Sequence, residues 1–342
     1  MNGKILSLIV CTLMIVSTVV PVSGIVLMEK TSHPLTKGNI LYVGGSGPNN
    51  YTKIQDAIND SSNGDTVYVY DDSSPYIENV LIEKSISLIG EEKNTTIIDG
   101  NRIGDVISVK TDGVTISGFS IKNSENSEGS DKAGIVTNTN HTTITNNIIK
   151  NNFIGILSEH NPSIGDSPLS ENIFRNNIIN SNSWTGIILG STNNSIIADN
   201  IIFDNNFSGI TTHEAFNNLI SGNKLLNNDH GLTIFDSNNN EISGNHIANN
   251  THVGIFLMDS KDNIIFHNNL INSGKRNAYF ISLIKNIELN KWEGNYWNNL
   301  RQTFYPIAGR KALLNFIEIG IIPWFQFDWH PAQEPYDIPE VR

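Results

Sequence analysis

The stretch IADNIIFDNNFSGITTHEAFNNLISGNKLLNNDHGLTIF (Ile197–Phe235) contains a pattern that returns along most of the chain. The segment I-A-D-N from Ile197 is followed by I-S-G-N from Ile220, so that Asn200 and Asn223 stand 23 residues apart. A second marker, Gly before an apolar residue, keeps the same period. The Asn positions are Asn147, Asn177, Asn200, Asn223, Asn245 and Asn269, and the Gly positions are Gly134, Gly155, Gly186, Gly209, Gly231 and Gly254. Two markers with one period predict a repeat protein.

Each period contains three short apolar runs separated by Asn-rich bends. In G-L-T-I-F (Gly231–Phe235) the apolar residues alternate at a spacing of two, which is typical of a β-strand and not of a helix. Asn tolerates left-handed backbone geometry and therefore suits tight bends. Three strands and three bends in about 22 residues predict one coil of a parallel β-helix, and we expect about nine or ten coils.

Stacked coils lie about 4.8 Å apart and place equivalent residues above one another. We therefore expect two buried apolar columns and one ladder of hydrogen-bonded Asn side chains. Their members are Ile202, Leu225 and Ile247; Ile210, Leu232 and Ile255; and Asn200, Asn223 and Asn245. Most of the 50 Asn residues thereby receive a structural explanation.

Both ends of such a stack need a cap, because an open coil would pair with other chains. At the N-terminal side, Tyr51–Ile58 is predicted as a short amphipathic helix with Thr52 as its N-cap. From Trp292 onward the repeat gives way to an aromatic segment, which is predicted to cap the last coil, with a separate ligand-binding domain as the alternative. The predicted organisation is a signal peptide at 1–24, a linker at 25–39, the β-helix with its N-terminal cap at 40–291, and an aromatic C-terminal cap at 292–342.

The segment Met1–Gly24 combines an early Lys, an apolar run and small residues near its end, which predicts a signal peptide. An uncleaved membrane anchor is the alternative. The only Cys, Cys11, lies in this segment, so the processed chain would contain no disulfide and no Cys-based metal site. With 22 basic and 34 acidic residues the formal charge is -12, which argues against nucleic acid as a partner.

Several segments resemble NosD-like right-handed β-helix proteins, an exported archaeal type. They include Y-T-K-I-Q-D-A-I (Tyr51–Ile58), G-N-Y-W (Gly294–Trp297) and D-W-H-P-A-Q-E-P-Y-D (Asp328–Asp337). The resemblance covers nearly all of the chain after Gly24 and implies a right-handed coil. It also implies two kinds of function, because the family is named for a copper-maturation protein, whereas the wider group is linked to carbohydrate binding and sugar hydrolysis.

The residues themselves offer little for a copper site, which would need clustered Met, Cys or His. After processing only Met28 and Met258 would remain, and the His residues are scattered. His230 and His252 occupy nearly equivalent positions in adjacent coils. They either form a pair on the surface or occur in these turns by chance. We predict no metal site and no cofactor, with Ca²⁺ as the one cation that a row of carboxylates would attract.

Pectin-active enzymes on this fold carry N-T-D with D-D and G-H-G, or paired Asp with Arg, and neither set occurs in this chain. The segment D-H-G (Asp229–Gly231) is only a fragment of such a motif. Because glycoside hydrolysis needs only two correctly spaced carboxylates, an enzyme of another kind stays open, and its catalytic residues are unknown.

One outward strip of the predicted coils combines carboxylates with aromatic rings. Counting five residues from three successive repeat Gly residues gives Glu214, Asp236 and Asp259. One residue earlier lie His213, Phe235 and Met258, and two earlier again lie Thr211, Thr233 and Phe256, all predicted to point outward. We predict a substrate-binding strip for a sugar chain at Glu214, Asp236, Asp259, His213, Phe235 and Phe256. The alternative is a solvated face whose Asp residues stabilise turns.

Taken together, these features predict a secreted or cell-surface β-helix protein that acts as a noncatalytic scaffold or carbohydrate-associated binding protein. Its expected partner is a cell-surface polysaccharide or glycan, and it would meet a membrane only through an uncleaved N-terminal segment. N-x-S/T sites such as Asn50 would make it a glycoprotein in a host that glycosylates exported proteins. A polysaccharide-modifying hydrolase, lyase or epimerase and a NosD-like copper-maturation factor are the alternatives.

Overall fold

A computed structural model describes residues 38–127, 129–160, 168–283, 289–300, 303–314 and 319–338. The predicted signal peptide at 1–24 lies outside the described residues, as does the predicted linker up to residue 37. The structural description therefore begins just before the first strand.

The described residues form a parallel β-helix of about 11 turns, right-handed as the resemblance implies. Most strands belong to one continuous sheet, and one strand of nearly every coil belongs to a second sheet. The strands of the long sheet are β1 (Ile40–Val43), β2 (Thr66–Val69), β4 (Val80–Ile82), β5 (Ser87–Gly90), β7 (Ile107–Val109), β8 (Thr115–Ser117), β10 (Ala133–Thr137), β11 (Thr143–Thr145), β13 (Ile154–Glu159), β15 (Ile173–Arg175), β17 (Ile187–Gly190), β19 (Ile196–Ala198), β21 (Ser208–His213), β22 (Leu219–Ser221), β24 (His230–Phe235), β25 (Glu241–Ser243), β27 (Val253–Met258), β28 (Ile264–Phe266), β30 (Arg276–Leu283), β31 (Lys291–Glu293), β33 (Tyr305–Leu314) and β34 (Ile319–Asp328).

The second sheet lies on the other side of the coil, and a small third sheet covers one corner. The second sheet consists of β3 (Tyr76–Ile77), β6 (Ile97–Asp99), β9 (Ser120–Lys122), β12 (Ile148–Lys150), β16 (Ile178–Asn180), β20 (Ile201–Phe203), β23 (Lys224–Leu226), β26 (His246–Ala248), β29 (Asn269–Ile271) and β32 (Tyr296–Trp297), and the third of β14 (Leu169–Ser170) and β18 (Thr192–Asn193).

Each coil of the central region has the three strands and three bends that the sequence predicts, as β20, β21 and β22 show. Both predicted columns are confirmed, because Ile202 pairs with Leu225 and Leu225 with Ile247 in the second sheet, and the column through Ile210 pairs likewise in the long sheet. Their members are fully buried. The turns number about 11 instead of nine or ten, because coils less regular than the central repeat precede and follow it.

The predicted Asn ladder is confirmed and is one of three, one at each corner of the coil. In the predicted ladder the side-chain oxygen of Asn223 accepts the backbone N–H of Asn200 at 3.0 Å and its amide at 2.9 Å. The other two ladders pass through Asn205 and Asn218, which make equivalent bonds to the next coil. Side chains thus satisfy backbone groups that the sharp corners leave without strand partners.

One of the repeat Asn positions was assigned to the wrong residue. Asn245 donates its backbone N–H to Asn268, at 2.9 Å, and not to the predicted Asn269. Asn269 instead forms two hydrogen bonds with the backbone of Tyr336, both 2.8 Å long. The interval from Asn245 is therefore 23 residues, close to the intervals of 23 and 22 residues in the two preceding coils, and the second Asn of the pair binds the C-terminal segment.

The N-terminal cap is a helix, α1 (Ile54–Asp60), which buries Ile54, Ala57 and Ile58. The predicted N-cap, Thr52, is wrong, because Lys53 holds that position and makes no side-chain capping bond. The carboxylate of Glu78 accepts the N–H groups of Ile54 and Gln55 at 2.9 and 3.0 Å, from the following coil. No helix among the described residues is long and apolar enough to cross a membrane.

The C-terminal cap is an antiparallel hairpin formed by β33 and β34. Strand β33 continues the long sheet by pairing with β30, and β34 touches β31 through the pair Trp292 and Asp328. Asp328 is fully buried and receives the indole N–H of Trp297 at 3.1 Å. The aromatic segment thereby closes the last coil through hydrogen bonds as well as apolar packing.

Candidate functional site

A run of rings lies on the bends that precede β13, β17 and β21 and on strands β24, β27 and β30, and we call it the aromatic face. It begins with a column in which backbone hydrogen bonds of 2.8 Å link Phe153 to Trp184, Trp184 to Phe207 and Phe207 to His230. A second column contains Phe256 and Tyr279, which stand in register in β27 and β30. The aromatic face consists of Phe153, Trp184, Phe207, His230, Phe235, Phe256 and Tyr279.

Neighbouring rings of the aromatic face contact one another from coil to coil. Their centroid separations are 5.8 Å for Phe153 and Trp184, 6.0 Å for Trp184 and Phe207, and 5.3 Å for Phe207 and His230. Rings at such distances stabilise one another beyond the burial of their apolar area. Trp184 is still 40% exposed, so this column both packs and offers apolar surface to a ligand.

Beyond His230 the aromatic face continues through the second column, which contains Phe256 and Tyr279. Phe256 lies 6.0 Å from His230 and 6.0 Å from Tyr279, whose ring is nearly parallel to its own at 9°. Phe235 stands perpendicular to Phe256, at 87° and 5.9 Å. Two of the predicted strip residues, Phe235 and Phe256, are thus in ring contact and belong to this larger face, which sequence reasoning did not identify as a whole.

The predicted carboxylates Glu214, Asp236 and Asp259 occupy equivalent positions in three successive coils. They follow directly after β21, β24 and β27, and each has a positive φ, of 50°, 43° and 50°. They are therefore turn residues along one edge of the aromatic face. The Glu214 carboxylate accepts a hydrogen bond from Ser191 of the preceding coil at 3.1 Å.

The strand residues of the predicted strip differ in how far they reach the surface. His213, Phe235 and Met258 stand in register; His213 is exposed, and the other two are half-buried. Thr211 and Thr233, also predicted to point outward, are buried, and the Thr233 hydroxyl lies 3.2 Å from that of Ser208. Within that column the surface is therefore formed by Phe256 and not by the two Thr residues.

A polar cluster interrupts the aromatic face at its centre. The coil of β27 has one residue more than the coil of β24 between its corner Asn and its strand, which places His252 beside His230. The two rings are nearly parallel, at 10°, with centroids 5.2 Å apart. The sequence signal was the position of both His residues just before their repeat Gly.

Asp229 holds this pair together. Its carboxylate lies 3.0 Å from Nδ1 of His230 and 3.5 Å from Nδ1 of His252, and it accepts a 2.8 Å hydrogen bond from Thr251. The contact between His230 Nδ1 and this carboxylate is close but lacks the geometry of a hydrogen bond. Burial lowers the pKa of His230, and the neighbouring Asp229 offsets only part of that effect.

A separate cleft of about 430 Å³ lies between the last coil and the C-terminal hairpin. The Lys291 ammonium is 2.5 Å from the Glu293 carboxylate at its rim and lowers the pKa of Glu293. The exposed ring of Trp329 stands 4.9 Å from that of Phe327. The cleft is lined by Leu289, Asn290, Lys291, Trp292, Glu293, Phe325, Gln326, Phe327, Trp329 and His330. The sequence favoured a cap over a separate ligand-binding domain for this aromatic segment, and it did not indicate the cleft.

Comparison with known proteins links the chain to one family and to the β-helix fold. A family model described as "Periplasmic copper-binding protein (NosD)" matches residues 96–302. No curated protein sequence matches the chain. Among solved structures, XylC in complex with xylose has a TM-score of 0.59 at 13% identity, covering 81% of this chain and 71% of that chain.

A second solved structure is the enzymatically active domain of tailspike protein 2 from bacteriophage CBA120. It has a TM-score of 0.54 at 14% identity and covers 81% of this chain and 44% of that chain. At such identities the likeness is one of fold.

The family description implies copper, but the described His pair and the groups around it do not fit a copper ion. Both Nδ1 atoms of the His pair face the Asp229 carboxylate, and Nε2 of His252 lies 3.2 Å from the Lys275 ammonium. A copper site needs lone pairs that converge on one point. Within the described ranges, no group of three or more His, Cys, Asp or Glu side chains is placed to hold a metal ion.

Proposed function

This chain belongs to the NosD family, described as periplasmic copper-binding proteins, and we propose that it is an exported, noncatalytic glycan-binding β-helix. The periplasmic description of the family fits a location outside the cytoplasm, at the cell surface or in the surrounding medium. The aromatic face would hold the glycan, with the turn carboxylates along its edge accepting hydroxyl hydrogen bonds.

The observation that carries the proposal is the continuity of the aromatic face across successive coils. Ring contacts run from Phe153 through Trp184 to Tyr279, so the face offers apolar surface along the coil axis. An extended polymer with apolar ring faces and many hydroxyl groups matches such a surface. Glu214 and Asp236 supply acceptors beside it, at exposed turn positions.

The structural relatives give the proposal its context. XylC, which resembles this chain in fold, has been solved in complex with xylose, and the tailspike domain is enzymatically active. Sugar binding on a β-helix of this kind therefore has a precedent. For this chain we propose binding without catalysis: the Asp229 carboxylate on the aromatic face contacts two His side chains, and the three carboxylates along its edge are turn residues.

The direct test is a glycan array probed with the purified chain, followed by affinity measurements on the glycans retained. Trp184→Ala should weaken binding by about three- to tenfold, the loss expected for one aromatic contact. The combined variant Glu214→Gln, Asp236→Asn and Asp259→Asn should weaken it similarly, and Asn tolerates the left-handed turn geometry. Retention of full affinity by both variants, or an empty array, contradicts the proposal.

The alternative functions give different results with the same protein. A hydrolase would release reducing sugar from the retained polysaccharide, a lyase would create unsaturated ends, and an epimerase would change the sugar composition of the polymer. A copper factor would show saturable copper binding in a titration. The proposed binding function predicts none of these signals.

A further inference from the structure

One end of the aromatic face carries a charge opposite to that of the protein as a whole. The chain has a formal charge of -12, yet Lys275 and Arg276 stand side by side at the start of β30 and are both exposed. Neither forms an ion pair with any described carboxylate. Two uncompensated cations on the proposed binding surface of an acidic protein favour an anionic ligand.

Both cations are held on the same side of the coil as the rings. Arg276 pairs in register with Val253, and Val253 with His230, so Arg276 stands two coils beyond His230 in the same register. Its guanidinium carbon lies 4.8 Å from the centroid of Tyr279. A guanidinium that contacts a ring keeps its N–H groups available for a carboxylate.

Lys275 is positioned through the His pair. Its ammonium lies 3.2 Å from Nε2 of His252, and its backbone N–H donates to the carbonyl of His252 at 2.9 Å. The acid of this cluster, Asp229, accepts a hydrogen bond from Thr251 and contacts both His rings. The charge of Lys275 is therefore left for a ligand.

We propose that the aromatic face selects a polysaccharide built from uronic acids, whose carboxylates are bound by Arg276 and Lys275 while its sugar rings contact Phe256 and Tyr279. This inference rests on the proposed glycan-binding function and adds the chemical class of the ligand. Arg offers a planar pair of donors that matches a carboxylate, and Lys adds a point charge. The rings supply affinity, and the two cations supply the preference for acidic over neutral polymers.

The test compares polymers that differ only in charge. Alginate and polygalacturonate are measured against their methyl-esterified forms at low ionic strength. The wild-type chain should bind at least one carboxylated polymer, and esterification of that polymer should lower the affinity at least about tenfold. The double variant Lys275→Gln with Arg276→Gln should lose a similar factor and should show a weaker dependence on salt.

Lys224→Gln is the matched control, because Lys224 lies in β23 of the other sheet and its loss changes the net charge in the same sense. Its affinity should stay within about twofold of wild type. Circular dichroism of all variants checks that the coil is intact.

The outcomes separate this inference from the function on which it rests. Equal binding of esterified and free polymers, equal affinity of the double variant and wild type, or binding of neutral glycans alone overturns the preference for uronic acids. In the last case glycan binding itself stands. An array with no bound glycan of any charge overturns both.

Discussion

The buried carboxylate of Asp328 accepts hydrogen bonds from the backbone N–H and the side-chain amide of Asn295, at 2.9 and 3.1 Å. Asn295 is the last Asn of the ladder that passes through Asn223 and Asn245. Asp328 thus occupies the position at which the next coil would place another Asn. The cap ends the ladder by imitating one more coil.

Replacing Asp328 with Ala should destabilise the C-terminal end strongly. The variant would leave the donors of Gly294, Asn295 and Trp297 without their acceptor in a buried site. Each unsatisfied buried donor costs about 1–3 kcal/mol, so we expect a loss of at least about 3 kcal/mol. Thermal unfolding by circular dichroism measures it, and Asp337→Ala, at an exposed position nearby, is the control. Equal melting temperatures would contradict this role.

The ladders also predict different effects for two neighbouring Asn residues. Asn205 is buried and accepts from Asn182 at 2.9–3.1 Å, whereas Asn206 is exposed. Asn205→Ala should reduce the free energy of unfolding by about 2 kcal/mol or more, because buried donors lose their acceptor. Asn206→Ala should change it by no more than about 0.5 kcal/mol. Chemical denaturation measures both, and similar values would show that the ladder adds little.

The repeat Gly residues should not tolerate even a methyl group. A Cβ at Gly209 would lie 2.7 Å from the carbonyl oxygen of Gly231 in the next coil. A Cβ at Gly190 would meet only the flexible side chain of Glu159 at that distance. Gly209→Ala should therefore destabilise the protein by about 1–3 kcal/mol, with a smaller effect for Gly190→Ala. The reverse order in denaturation would contradict this explanation of the Gly marker.

Two His residues should make the protein less stable in mild acid. Burial lowers the pKa of both His230 and His246, with nearby Lys224 contributing at His246. Below about pH 6.5 the unfolded chain therefore takes up protons that the folded protein resists, and stability falls. His230→Gln and His246→Gln should each reduce the drop in melting temperature between about pH 7.5 and about pH 5.5. His330→Gln, at an exposed position, should leave the drop unchanged; a full drop in the first two variants would refute the mechanism.

The coil could be predicted well from the sequence because the residues that hold successive coils together recur at nearly constant intervals. Asn200, Asn223 and Asn245 follow one another at intervals of 23 and 22 residues, and each contacts the next. The sequence-based predictions were wrong where a residue forms its hydrogen bonds with a distant part of the chain. Glu78 caps α1 from the following coil, and Tyr336 binds Asn269 across 67 residues. No local pattern reveals such partners.

The candidate site was predicted only in part, for a related reason. Strand alternation correctly gave the directions of Phe235 and Phe256, but alternation does not report exposure, and Thr233 is covered. The column of Phe153, Trp184 and Phe207 lies at irregular sequence intervals of 31 and 23 residues, which conceals it. The cleft beside Trp329 depends on how the hairpin folds back, and the repeat contains no information on that step.

The three Asn ladders make the length of this molecule adjustable. Each Asn of a ladder uses the same donor and acceptor groups as the Asn in the next coil. A coil inserted between two others could therefore form the same hydrogen bonds with both neighbours. A gene that duplicates one repeat would lengthen the outer surface by about 4.8 Å and leave both ends unchanged. The length of polymer that the protein can contact is therefore a quantity that evolution, or a designer, can alter in uniform steps.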